Sequence, residues 1–283
     1  MSARRSPGLR LVVFLLAALA AGPLVGIAVG TLGLSGVPGW AYAGLVSIWL
    51  LGLTWGAVRS EGGTLRTLGL VPTRRRVREF AVGFGLAAGA FAAVALVRAA
   101  SVGAEWTVDP VAGARAAVLG LPLALVLLLP EELLFRGYAF QKAVARWGAP
   151  AALAASTLAF GAYHVVGSGA WGMGALFLFV LPALGGLLFG VAALRTGGLA
   201  LPTGLHLGGN WVNASVLGLG TVEGGALWAA PLDAAQVAAL TAPDVVPHLP
   251  YVGALALLAV AVAGWPRTDA VGARAPSVRT EGR

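Results

Sequence analysis

Apolar stretches of bilayer-crossing length dominate this chain and leave few folds open to it. A spanning helix needs roughly 20 mostly apolar residues. Eight stretches satisfy that rule, at approximately 11–31, 38–58, 80–98, 116–140, 150–167, 171–194, 198–219 and 249–265. Composition agrees: 58% of the residues are hydrophobic and 11% charged, where a soluble domain carries about 25% charged residues. The expected class is all-α, a polytopic transmembrane helical bundle of about eight spans.

The basic residues orient the bundle. Arg4, Arg5 and Arg10 precede the first stretch. Arg59, Arg66, Arg74, Arg75, Arg76 and Arg78 lie in the connection after the second. Arg136, Lys142 and Arg146 follow the apolar part of the fourth, Arg195 follows the sixth, and Arg267, Arg274, Arg279 and Arg283 end the chain. With both termini cytoplasmic, seventeen of the nineteen basic residues fall on that side, as the positive-inside rule requires. Arg98 and Arg115 are left outside, near the acids Glu105, Asp109, Glu223, Asp233 and Asp244. The formal charge of +8 therefore reads as cytoplasmic loops and tails rather than a nucleic-acid surface, and no nucleic-acid partner is expected. The absence of cysteine excludes disulfides and thiolate metal sites.

The expected organisation is a cytoplasmic tail at 1–10, a transmembrane domain at 11–265 and a second cytoplasmic tail at 266–283. The N-terminal pattern of Arg4, Arg5 and an apolar run also suits a secretory signal. Because the apolar run continues through 25–32, a retained first helix is the preferred reading. Gly85-x-x-x-Gly89 and Gly186-x-x-x-Gly190 would let helices approach closely. Residues 220–248, with Pro231, Pro243, Pro247 and His248, read as a longer outer loop.

Against this background the ionisable residues inside spans stand out, since each costs roughly 2.5–3.5 kcal/mol on insertion scales. Glu131 and Glu132 are adjacent, so one carboxyl must take a proton or find a cation. Arg136 lies four residues after Glu132 on the same helix face and can pair with it. Glu131 points about 100° away and is left for other work. Pro130, which cannot donate to the carbonyl of Val126, predicts a kink just before the pair. His164 follows Phe160 at i+4 in the fifth stretch, and His206 precedes Asn210 at i+4 in the seventh. Taken singly these residues could be a buried charge cluster and two satisfied core histidines. Together they let three helices converge on one polar pocket.

Two chemistries suit such a pocket. Glu131 and His164 could hold and deprotonate a water while His206 and Asn210 stabilise an oxyanion. Alternatively His164, His206 and Glu131 could ligate a divalent metal such as zinc, whose bound water attacks. No His-Glu-x-x-His sequence is present to favour the metal.

Glu131-Glu132-x-x-x-Arg136, Phe160-x-x-x-His164 and His206-x-x-x-Asn210, in that order, resemble the three motifs of the CPBP family. That family comprises CAAX prenyl endopeptidases and bacteriocin-processing or lysostaphin-resistance-type membrane proteins. The resemblance covers roughly 112–215. It implies an intramembrane protease in which Glu131 activates water with the help of His164, and His206 and Asn210 complete the site. Glu132 and Arg136 would assist or shape it. The metalloprotease label often attached to the family leaves the metal open. The substrate would be a membrane-associated or lipidated protein or peptide. A non-catalytic scaffold or immunity factor on the same fold, or a proton-coupled transporter, are the alternatives.

Counting 1.5 Å per residue, Glu131 and His206 come out about 8 and 12 Å from the cytoplasmic edge of a roughly 30 Å core. His164 comes out near 21 Å, so its helix must tilt, protrude into the cytoplasm or have another boundary if all three are to meet.

Overall fold

A computed structural model of the chain describes residues 7–34, 36–166, 168–219, 226–242 and 244–267. Arg4, Arg5, Glu223, Pro243, Arg274, Arg279 and Arg283, and with them most of both expected tails, lie outside the described residues.

The chain is an all-α membrane bundle. In chain order its helices are α1 (Pro7–Leu19), α2 (Ala21–Thr31), α3 (Gly39–Ser60), α4 (Arg74–Ser101), α5 (Pro110–Arg136) and α6 (Tyr138–Trp147). They continue as α7 (Ala149–Val165), α8 (Gly172–Thr196), α9 (Ala200–Trp211), α10 (Ala234–Leu240) and α11 (Leu249–Ala263). Among the described residues six helical segments are long and apolar enough to cross a membrane: Gly8–Thr31, Gly39–Ser60, Arg74–Ser101, Gly113–Trp147, Gly172–Thr196 and Val246–Ala263.

Two of the eight expected spans are not among the six. The stretch expected at 150–167 is α7, of 17 residues. The stretch expected at 198–219 is α9, of 12 residues, extended by a π-helical turn over Val212–Val216. Their apolar composition has a different cause. Leu201 through Gly209 are all buried, so α9 packs protein against protein on every side instead of meeting lipid. Helices enclosed in this way are freed from the length rule.

The fourth expected span, 116–140, proves to be two helices. α5 runs through Pro122 and Pro130 to Arg136, Gly137 leaves helical geometry, and α6 begins at Tyr138. α6 buries Tyr138, Ala139 and Phe140 and turns Trp147 outward.

Buried and exposed faces invert the pattern of a soluble protein. α3 buries Ala43, Ser47, Leu50, Thr54 and Val58 along one stripe while exposing Leu45, Ile48, Trp49 and Trp55. Lipid is as apolar as leucine, so small and weakly polar residues go to helix contacts and large apolar ones face outward.

The packing of α4 on α9 follows the same logic. A methyl group at Gly83 would come within 2.7 Å of the Leu201 carbonyl, and one at Gly208 within 3.0 Å of the Ala88 nitrogen. Gly204 likewise lies against the Phe80 carbonyl. The expected Gly85-x-x-x-Gly89 contact is not made, for a methyl at either position meets nothing within 4 Å. The small-residue face of α4 is instead Gly83 and Ala87, one turn apart. Gly186-x-x-x-Gly190 does serve close approach, its would-be methyls meeting Phe160 and Leu153 of α7.

At the end of α8, Arg75 and Arg76 both donate to the Thr196 carbonyl, at 3.1 and 2.9 Å, and Arg76 also to Gly197 at 3.0 Å. Buried Glu79 holds both guanidiniums at 2.7 Å. Cations at a helix C-terminus satisfy its free carbonyls and its dipole.

The region expected as a plain outer loop has structure of its own. Strand β1 (Thr107–Val108) pairs antiparallel with β3 (Trp228–Ala230), which pairs parallel with β2 (Leu217–Leu219). α10 then starts with a capping box between Asp233 and Gln236, which satisfies the free donors of its first turn.

Candidate active site

Glu131 and Glu132 sit near the end of α5, and their different fates follow from helix geometry. Glu132 and Arg136, one turn apart, are both completely buried and pair at 3.4 Å. Arg136 donates to the Gly186 carbonyl at 3.1 Å, and its guanidinium lies 4.3 Å from the Phe160 ring centre and 5.3 Å from that of Phe189. A methyl at Gly186 would come within 3.2 Å of the Arg136 guanidinium and 3.0 Å of Phe160, so glycine there opens the slot for the cation. Glu131, rotated around the helix, keeps a 20% exposed side chain and faces a cavity.

Glu132 also reaches α9, accepting from His206 Nδ1 at 2.8 Å. With Glu132 ionised beside Arg136, that nitrogen carries the proton, and the bond fixes the ring. Phe189 stacks on the same ring at 4.7 Å and Phe160 meets it edge-on at 6.1 Å. His206 Nε2 is thereby aimed at Glu131 Oε2, 3.8 Å away. One water can hydrogen-bond both atoms across that gap at ordinary lengths.

His164 is set from α7. Its Nδ1 lies 2.8 Å from the Phe160 carbonyl, which can only accept, so Nδ1 is the protonated nitrogen and Nε2 keeps its lone pair. Phe160 thus serves twice, orienting His164 with its backbone and flanking Arg136 and His206 with its ring.

These groups share one cavity of about 180 Å³, lined by Glu131, Phe160, His164, His206 and Asn210 together with Phe189, Asn213 and Tyr251. All the candidate residues named from the sequence are therefore brought together, with Glu132 and Arg136 packed behind the wall rather than lining it. α7, which carries His164, is not among the helices long and apolar enough to span, so the depth counted for a spanning fifth helix does not apply to it.

Among the described residues no three His, Cys, Asp or Glu side chains are grouped so that they could hold an ion. Nδ1 of both histidines is engaged, by Glu132 and by Phe160, which leaves Nε2 of each as the free ring nitrogen.

Sequence reasoning missed Phe189, Gly186, Tyr251 and Asn213. Asn213, three residues after Asn210 in an apolar stretch, carried a usable signal. Gly186 was visible only as a packing glycine, and an aromatic such as Phe189 or Tyr251 in a lipid-soluble helix carries no signal at all.

Residues 113–212 match the family described as type II CAAX prenyl endopeptidase, Rce1-like. Over this segment the chain is similar to that family. The segment contains every residue of the three motifs, and the cavity-lining Asn213 lies just beyond it. No curated protein and no solved structure matches the chain. The matched segment holds α5 to α9 and is similar to a family of CAAX-type proteases.

Proposed function

We propose that the chain is an intramembrane endopeptidase of the cell membrane, hydrolysing a peptide bond in a membrane-associated or lipidated protein without a metal. The observation that carries this reading is the shared cavity, in which Glu131 Oε2 stands 3.8 Å from His206 Nε2 and His164 and Asn210 line the same space.

Glu131 is the general base. It takes one proton of a water whose other hydrogen is held by the His164 Nε2 lone pair. The water oxygen attacks the peptide carbonyl carbon, and the carbonyl oxygen becomes an oxyanion. Asn210, through its amide, and His206, when protonated at Nε2, donate to that oxyanion. Donors fixed in a dry site are worth far more than in water. Glu131 then passes its proton to the departing nitrogen, the C–N bond breaks, and an acid and an amine are released. Glu132 and Arg136 are positioning residues that hold His206 from behind.

Comparing membrane-protein cleavage products in cells carrying the wild type, Glu131→Ala or His164→Ala tests the assignment. Loss of the general base lowers turnover by roughly 10²–10⁴-fold, so products should vanish from both variants while protein level and membrane insertion stay unchanged. Wild-type product levels in either variant would reject the assigned roles.

A further inference from the structure

At the end of the bundle that the positive-inside rule assigns to the cytoplasm, α1, α3 and α6 meet around Tyr138. Its ring packs on Phe14 of α1, and its hydroxyl reaches Glu61, the residue after α3. Two cavities share Tyr138 and Arg10 as wall residues. One, of about 380 Å³, carries three cations, Arg10, Lys142 and Arg146, and one carboxylate, Glu61. The other, of about 550 Å³, lies between α1 and α3 and is walled by Val13, Phe14, Gly52, Leu53 and Gly56. Both fall within the roughly 300–1,000 Å³ of ordinary ligand sites.

Both oxygens of Glu61 are engaged. Tyr138 donates to Oε1 at 2.7 Å, and Lys142 pairs with Oε2. No described carboxylate lies within ion-pair distance of Arg10 or Arg146. The guanidinium fork matches a phosphate as well as a carboxylate.

The neighbouring groove is apolar and open at its side. Val13 is exposed, and a methyl built on Gly52 or Gly56 would meet nothing within 4 Å. Ser60, at the end of α3, also lines it. Gly52 lies eight residues deeper, so the groove runs about 12 Å from the basic rim into the apolar layer.

Cations at the surface and an apolar channel leading inward follow the order of an anionic lipid, headgroup first and acyl chain after. Basic pockets between spanning helices on the cytoplasmic side hold such headgroups. A second copy of the chain is the competing occupant, because Gly52 and Gly56 have the spacing of close helix approach. A two-fold pair packed there would bring Arg10 and Arg146 of both copies together, and like charges set against each other are unfavourable. Charge therefore favours the lipid.

We propose that α1, α3 and α6 form a binding site for an anionic phospholipid of the cytoplasmic leaflet. Its phosphate sits between Arg10 and Arg146, and one acyl chain lies in the groove between α1 and α3. The site shares no wall residue with the catalytic cavity and does not depend on the peptidase reading.

The full chain in a neutral detergent is titrated with phosphatidylglycerol or phosphatidylcholine of equal chain length, and native mass spectrometry counts the bound lipid. Arg10→Gln/Arg146→Gln removes the two cations of the site. Arg66→Gln/Arg78→Gln removes the same charge from exposed positions on the same face. The wild type should bind its first phosphatidylglycerol at least roughly tenfold tighter than phosphatidylcholine, in line with the attraction of surface cations for anionic lipid. That ratio should fall to about one in Arg10→Gln/Arg146→Gln and persist in the control. Phosphatidylglycerol should also raise the thermal midpoint of the wild type and of the control, since a ligand of the folded state stabilises it. Arg146→Gln alone, at an exposed position, should lower the ratio severalfold and replaces the double variant should that lose its thermal transition. Equal losses in the two double variants would reduce the effect to net charge and overturn the proposal, as would displacement of the lipid by glycerol phosphate at equal concentration. A dimer that Gly52→Leu dissolves without changing phosphatidylglycerol affinity would assign the groove to a second copy and overturn it too.

Discussion

Arg136 and Glu132 are completely buried, which gives their pairing an asymmetric energetics. Removing one partner of such a pair leaves an uncompensated charge and destabilises by about 3–5 kcal/mol, while replacing both by apolar groups is often near neutral. Arg136→Met and Glu132→Leu should each lower the thermal midpoint in detergent markedly. The double variant should recover much of the loss, though the Gly186 carbonyl then loses its donor. Additive losses would mean that the two side chains are held by other partners. Chelation tests the chemistry at the same scale. Extended dialysis of purified protein against EDTA should leave peptide cleavage intact. A loss of activity restored by zinc would overturn the metal-free mechanism.

Helix by helix, what holds His206 opposite Glu131 is the approach of α9 to α4. A methyl at Gly208 would press on the Phe84 carbonyl and come within 3.0 Å of the Ala88 nitrogen, whereas one at Gly89 on α4 meets nothing within 4 Å. Overpacking a tight contact costs about 1–3 kcal/mol. Gly208→Ala should therefore lower both the unfolding midpoint and turnover, by displacing the helix that carries His206 and Asn210. Gly89→Ala should be neutral or slightly stabilising, because alanine is the better helix former. The two variants have identical chemistry, so equal effects in thermal unfolding would show that α9 does not pack on α4 through this face. The contrast also shows why glycine spacing was legible only in part. Gly85 and Gly89 carry the same pattern as Gly186 and Gly190, and nothing local says which face of α4 meets a neighbour.

For the molecule as a whole, orientation is the property still open to direct measurement. The chain contains no cysteine, so single cysteines introduced at Arg66 and Glu105 can be labelled from either side of a sealed membrane without background. The positive-inside rule predicts that the cysteine of Arg66→Cys reacts from the cytoplasmic side and that of Glu105→Cys from the opposite side. Labelling of both from one side would break the proposed topology. The N-terminal helices are tied to the rest of the bundle. α1 packs on α6 through Phe14 and Tyr138, whose ring centres are 4.6 Å apart, and Tyr42 of α3 donates to the Gly22 carbonyl of α2 at 2.6 Å.

From residue order alone the chain had to be an α-helical membrane bundle, because runs of apolar residues that long can satisfy their backbone in lipid only as helices. The candidate site was legible for a related reason: charged and imidazole groups within such runs are costly, so their i, i+4 spacings on three helices marked one pocket. What residue order left undecided was how many of those runs face lipid. α9 is as apolar as a spanning helix, but only its neighbours reveal that it is enclosed by protein. The same holds for Glu131 and Glu132, chemically identical and adjacent. One opens to the cavity and the other is sealed behind it because α8 and α9 bring Gly186 and His206 to a single side of α5, a choice that exists only once the helices have packed.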